Sequence, residues 1–176
     1  MRDFNAIEGF FHYRPFYDIL LETIPDGGRV VEVGTFKGKG AIYLALNSEG
    51  KNLEIYAVDT FSPFLEEGLL GNVGVYKECL RYMFDYGVEN AVTLLVLTSV
   101  QAADFFEDAS LDCAFLDTNH DEESIASDIA AWMPKVKPGG FLAGDDYTEA
   151  TPDVALVVDA MFPDRKLIWP AWYTTL

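Results

Sequence analysis

The chain reads as an α/β protein on a mainly parallel sheet. Short apolar and β-branched runs alternate with helical patterns through all 176 residues, the mark of repeated βαβ units. Polar residues recur where those apolar runs end: Glu32, Asp59, Ser99, Asp117 and the pair Asp145-Asp146. In an open α/β sheet, the carboxyl ends of the strands are where ligands bind.

The elements follow in order. Phe10, Tyr13 or Arg14, Tyr17, Leu20 or Leu21 and Ile24 fall at helical spacing, predicting a helix over 6–24 that stops at Pro25-Asp26-Gly27-Gly28. Such a stripe packs a core, and the aromatic excess in Phe10-Phe11-His12-Tyr13 also suits a lid, so residues 1–28 form an N-terminal aromatic segment of one domain spanning 1–176. Arg29 to Val33 is a β-branched strand, Gly34 to Gly40 a glycine-rich turn, and 39–47 a helix. Strands are predicted at 53–58, 91–97, 111–116 and 140–144, and helices at 74–86, 100–107, 122–133 and 152–161. Residues 166–169 and 172–175 form a closing hairpin around Pro170-Ala171. Ser62 to Asn72 has little periodicity and reads as a substrate-side loop, while Asp104 and Asp121 read as turn or cap residues.

Composition excludes several classes of function. Half of the residues are hydrophobic and the formal net charge is -17, which suits a globular chain and repels a phosphate backbone. Nucleic acid is therefore not expected as a partner. No apolar run reaches the roughly 18 residues of a membrane span, and Met1-Arg2-Asp3-Phe4 does not open a signal peptide, so a cytoplasmic location is expected. Cys79 and Cys113 are unclustered and read as small buried residues rather than as a zinc site or a disulfide. A small molecule is the expected partner, with room left for a homodimer.

The turn Glu32-Val33-Gly34-Thr35-Phe36-Lys37-Gly38-Lys39-Gly40 lacks both the G-x-G-x-x-G spacing of a dinucleotide site and the Gly-Lys-Ser/Thr ending of a P-loop. Gly34 suits a positive φ, and Gly38 and Gly40 clear space for a ligand or the packed helix. Glu32, an acid two residues before the first glycine, disfavours a pyrophosphate and suits a cationic ligand. Asp117, Asp145 and Asp146 end adjacent strands that lie about 4.8 Å apart. Two charges 5 Å apart at an effective dielectric of 20 repel by roughly 3 kcal/mol, so these acids call for a proton, a basic neighbour or a cation. A hard divalent ion such as Mg²⁺ is the economical answer.

Glu32-x-Gly34 followed by Asp59 resembles the S-adenosylmethionine site of class I methyltransferases. The resemblance implies that the loop through Thr35, Phe36, Gly38 and Gly40 holds the methionine portion and that Asp59 takes the ribose hydroxyls. The run Leu111 to Tyr147, with Asp117-x-x-His120, Asp128, Trp132, Pro138-Gly139-Gly140 and Gly144-Asp145-Asp146-Tyr147, is similar to small-molecule O-methyltransferases of the macrocin and mycinamicin type. The chain differs from their usual pattern at Thr118-Asn119 and at Thr98. That resemblance implies a Rossmann-like, doubly wound sheet of seven strands whose last strand is antiparallel. It further implies Asp117, Asp145 and Asp146 as Mg²⁺ ligands, His120 as general base and Ser99 facing the adenine. His120 alone also reads as a cap for the helix that begins near Glu122.

The expectation is an S-adenosylmethionine-dependent, Mg²⁺-dependent O-methyltransferase of a sugar or phenol. Three alternatives stand beside it: a noncatalytic S-adenosylmethionine-binding protein, a metal-dependent hydroxylase-like relative carrying the same acids, and a nucleotide-dependent oxidoreductase, which Glu32 disfavours.

Overall fold

The structure, a computed structural model, describes residues 3–48, 50–61 and 73–176. The loop read at Ser62 to Asn72 lies outside the described residues. Seven strands form one sheet: β1 (Arg29–Val33), β2 (Glu54–Asp59), β3 (Val92–Val96), β4 (Leu111–Leu116), β5 (Val136–Gly144), β6 (Lys166–Ile168) and β7 (Ala171–Thr175), in the spatial order β3-β2-β1-β4-β5-β7-β6. The pairs β1–β2, β2–β3, β1–β4 and β4–β5 are parallel, whereas β7 runs antiparallel to both β5 and β6. This is the expected doubly wound sheet with an antiparallel last strand.

Helices α1 (Arg14–Thr23), α2 (Lys39–Asn47), α3 (Val73–Asp85), α4 (Ser99–Ala103), α5 (Glu122–Trp132) and α6 (Pro152–Met161) cover its two faces. Side-chain alternation along the strands divides the core between them. Val30, Cys113 and Phe115 join Phe16, Tyr17 and Leu20 of α1, Ile42 and Leu44 of α2, and Cys79 and Met83 of α3. Val31, Val33, Ala114 and Leu116 face the other way, toward Ala102 of α4, Ile129 and Trp132 of α5, and Val154 and Val158 of α6. Both cysteines are buried and reduced, and burial pushes the Cys79 thiol up to about 12.

Three boundaries differ from the sequence reading. The continuous helix over 6–24 is instead a 3-10 turn at Phe4–Ala6, an irregular strap, and a helix that starts only at Arg14. Gly9 has φ +123°, outside any helix, and Pro15 favours a helix start because it has no amide hydrogen to give to the preceding turn. Helix α4 stops at Ala103 rather than at 107, with Asp104 as the turn residue at its carboxyl end; Thr98 and Gln101 form a capping box that fixes its start. Strand β5 begins at Val136 rather than at residue 140, with an irregular register against β4 that takes up Lys137-Pro138-Gly139.

The amino ends of the central strands are tied together by Asp112, whose carboxylate accepts from the Arg29 amide at 2.8 Å and from Lys137 at 2.7 Å. The carboxyl ends are left to the acids. No described helix is long and apolar enough to cross a membrane.

Candidate active site

The site begins where the strand order reverses, between β1 and β4. The amides of Gly34 and Thr35 both donate to the Val58 carbonyl, at 2.8 and 3.1 Å, while the Asp117 amide donates to the Val33 carbonyl at 2.8 Å. The turn after β1 is thereby pressed onto the end of β4. Gly34 has φ +90°, and a Cβ there would lie 1.6 Å from the Asp117 carbonyl oxygen, so no other residue fits. At Gly40 a Cβ would lie 2.0 Å from Glu32 Oε2, which lets α2 begin directly over that carboxylate.

Glu32 is buried, and both of its oxygens accept from hydroxyls at 2.6 Å: Oε2 from Tyr17 and Oε1 from Thr35. Burial raises its pKa and these bonds oppose the rise. Glu32 thus joins α1 to the turn. The Phe36 amide, on a residue with φ 51°, donates to Asp59 Oδ2 at 2.8 Å, and the Phe61 amide donates to Oδ1 at 2.7 Å. Asp59 is therefore fixed in place, its pKa raised by burial and lowered by the two amides. A carboxylate has about four acceptor positions, so two remain for a ligand's hydroxyls. Lys37 is held by Glu78 at 2.5 Å and by Glu8, which pins the strap to the turn.

At the ends of β4 and β5, Asp117, His120 and Asp146 each offer a ligand atom within 4.8 Å of the others. His120 Nε2 lies 2.7 Å from Asp146 Oδ2, and Asp146 adopts φ 60°. Burial first, then the charges of Asp145 and Asp146, hold the Asp117 carboxyl well above the usual range. Asp145 is 8% exposed, and its buried Oδ1 has no partner among the described residues. Burial pushes Asp145 up to about 6, and His12 and His120 partly offset this. The sequence grouped Asp117, Asp145 and Asp146; the structure gathers Asp117 and Asp146 with His120, and sets Asp145 behind them in the same small cleft, closed by Trp172.

His120 does not cap the following helix. Asp121 does, its Oδ1 accepting from the Ser124 amide at 3.0 Å. Ser99 sits at the start of α4, where its hydroxyl accepts from the Trp132 indole at 2.9 Å. It also bonds Asp128, whose other contact is the Thr118 hydroxyl at 2.5 Å. Asp128 thus links the ends of β3 and β4, a role unread in the sequence although an acid on the stripe of Ile125, Ile129 and Trp132 signals it. His12 and Tyr13 were read as part of an aromatic segment suited to core packing or a lid, with no role of their own in the site, and the strap brings both to this edge.

The residues suit the groups expected here. Two carboxylates match the one or two by which proteins usually hold Mg²⁺, and a cation would compensate a buried orphan oxygen near them. The fixed Asp59 carboxylate has the capacity a ribose requires. In comparisons with known proteins, the family model described as "Methyltransferase domain" matches residues 31–147. No curated protein sequence matches the chain. Among solved structures, an S-adenosylmethionine-dependent O-methyltransferase from Thermotoga maritima is similar at TM-score 0.67 and 14% identity, covering 97% of this chain and 68% of that one. A precorrin 8w decarboxylase from Methanobacterium thermoautotrophicum has TM-score 0.68 and 17% identity, covering 100% and 96%. An rRNA methylase from Streptococcus thermophilus has TM-score 0.65 and 16% identity, covering 94% and 95%. These neighbours differ in chemistry, and what they share with this chain is the fold.

Proposed function

We propose, from the premise that this chain belongs to the methyltransferase-domain family, that it transfers a methyl group from S-adenosylmethionine to a hydroxyl oxygen of a small molecule such as a sugar or phenol, assisted by Mg²⁺. The observation that carries the oxygen chemistry is the convergence of His120 and Asp146, at 2.7 Å, with Asp117 on one strand edge. The donor supplies an electrophilic methyl on a good leaving group, and a cation bound here would acidify the acceptor hydroxyl. Asp117 and Asp146 would hold the ion, and Asp145 lines the same cleft. Asp59 binds the ribose hydroxyls, and the turn from Thr35 to Gly40 seats the amino-acid portion.

His120 takes the acceptor's proton. When Nε2 carries the hydrogen that Asp146 accepts, Nδ1 keeps its lone pair free for the substrate hydroxyl, so Asp146 sets both the tautomer and the ring orientation. Glu32, occupied by Tyr17 and Thr35, braces the turn and leaves the chemistry to the ends of β4 and β5 on the same edge. The net charge of -17 favours a small neutral or cationic acceptor over nucleic acid.

The test incubates the purified chain with S-adenosylmethionine, Mg²⁺ and a panel of sugars and catechols, and measures S-adenosylhomocysteine release. Acceptor-dependent release that stops with a chelator and returns with Mg²⁺ is expected. Release that ignores the chelator removes the cation from the reading. Tight donor binding with no release across the panel favours a noncatalytic binding protein.

A further inference from the structure

Thr151 stands at the amino-cap position of α6, immediately before Pro152. A threonine there ordinarily offers its hydroxyl oxygen to a free amide of the first turn, a bond that steadies the helix. The Thr151 side chain makes no such bond. Its hydroxyl turns back instead and donates to the main-chain carbonyl of Asp146. The same carbonyl accepts from the Thr148 amide at 2.8 Å.

A hydroxyl has one hydrogen, and Thr151 gives its own to Asp146, so in the 2.8 Å contact between the two threonine hydroxyls Thr148 is the donor. The Ala150 amide in turn donates to Thr148 Oγ1 at 3.2 Å. Three hydrogen bonds thus run in one direction, from Ala150 through Thr148 and Thr151 to the Asp146 carbonyl. What they hold is a residue at φ 60°, a left-handed conformation that few residues other than glycine adopt. Both neighbours are anchored as well: the Asp145 amide donates to the Leu116 carbonyl at 3.1 Å, and the Tyr147 amide to the Pro170 carbonyl at 2.9 Å. The backbone therefore aims the Asp146 carboxylate, which meets His120 at 2.7 Å. Such a conformation persists only where its surroundings over-determine it, and it gathers at functional sites.

We infer that Thr151 is a positioning residue of this site: its hydroxyl keeps Asp146 in the left-handed conformation that presents the carboxylate to His120 and to a cation. This rests on Asp146 and His120 serving the methyl transfer. Thr151 acts only through Asp146, and α6 goes without a side-chain cap as a result.

Thr151→Val keeps the shape of the side chain and loses the hydroxyl, while Thr151→Ser keeps the hydroxyl. On the full chain, three measurements separate positioning from folding: S-adenosylhomocysteine affinity by calorimetry, Mn²⁺ affinity by electron paramagnetic resonance, and kcat and KM with an acceptor from the panel. Thr151→Val should bind S-adenosylhomocysteine within about twofold of wild type, which also shows that it is folded. Its Mn²⁺ affinity and its kcat should each fall by about tenfold to a hundredfold, the usual loss when the partner of a metal ligand is removed, with KM for the donor unchanged. Thr151→Ser should restore both. Wild-type Mn²⁺ affinity in Thr151→Val, an equal loss of S-adenosylhomocysteine binding, or a serine variant as impaired as the valine one overturns the assignment. A wild-type chain that binds Mn²⁺ and transfers no methyl overturns the transfer reading alone, and the Mn²⁺ comparison then decides the role of Thr151. A wild-type chain that binds no Mn²⁺ overturns both.

Discussion

At the scale of single residues, His120 is where folding and chemistry separate most cleanly. Its imidazole reaches Asp146, while Asp121 caps α5. His120→Ala should therefore keep its melting temperature while single-turnover methyl transfer slows by about 10² to 10⁴, the usual share of a general base. A full-rate variant would pass the proton to another group, with Asp117 next in line. Asp59→Ala should weaken S-adenosylhomocysteine binding by roughly 1.5 to 3 kcal/mol by calorimetry, and wild-type affinity would take Asp59 out of the ligand's reach. Asp145 gives a signed pH effect. Its folded pKa of about 6 lies above the ordinary carboxyl value, so the folded state holds the proton more tightly and wild-type stability falls as pH rises from about 4 through 6. Asp145→Asn escapes that fall. In a chelator, its advantage in denaturant melts should open across that window and level off above about pH 7, at about 1 to 3 kcal/mol. A difference that shrinks with rising pH would contradict the burial of the charge.

At the scale of elements, strand positions were legible because alternation and β-branching survive any local context, and β1, β2 and β4 lie within a residue of where the sequence puts them. The N-terminal segment was not, because Phe10, Tyr13 and Tyr17 keep helical spacing although Gly9 just before them is outside any helix and α1 starts only at Arg14, with Pro15 in its first turn. The glycine turn was legible as a site, yet not the reason for each glycine: Gly34 yields to the Asp117 carbonyl and Gly40 to Glu32, partners known only once β1, β4 and α2 are packed. Asp117 and Asp146 were singled out because they follow strand ends, and His120 through the resemblance carried by Asp117-x-x-His120; the fold brings the three together. The places of Tyr13 and His12 at this edge were unread beyond a possible lid, because proximity across the fold leaves no mark on spacing. Gly34→Ala should thus be harsher than its size suggests, since the added carbon meets backbone that cannot rotate away. Circular dichroism and ligand titration together should show either an unfolded chain or a folded one that no longer binds S-adenosylhomocysteine, and wild-type behaviour in both would mean that the turn lies elsewhere.

At the scale of the whole molecule, the excess of acids is both a filter on partners and a load on the fold. Self-repulsion among charges summing to -17 favours expansion, and salt screens it over about 10 Å at 0.1 M. Melting temperature should therefore climb as sodium chloride rises from about 10 to 200 mM, and a flat profile would mean that the surface acids are locally compensated. The order of the strands has a further consequence, one of timing. Arg29 and its partner Asp112 stand 83 residues apart in the chain, with β2 and β3 made between them. During synthesis β1 can pair with β2 long before β4 leaves the ribosome, so the inner edge of β1 waits uncovered while most of the chain is built. The last central strands to be made are also the ones that bring Asp117, Asp145 and Asp146 into place. A nascent chain thus acquires its apolar half-sheet first and its reactive edge last, and ligand binding marks the completion of the molecule.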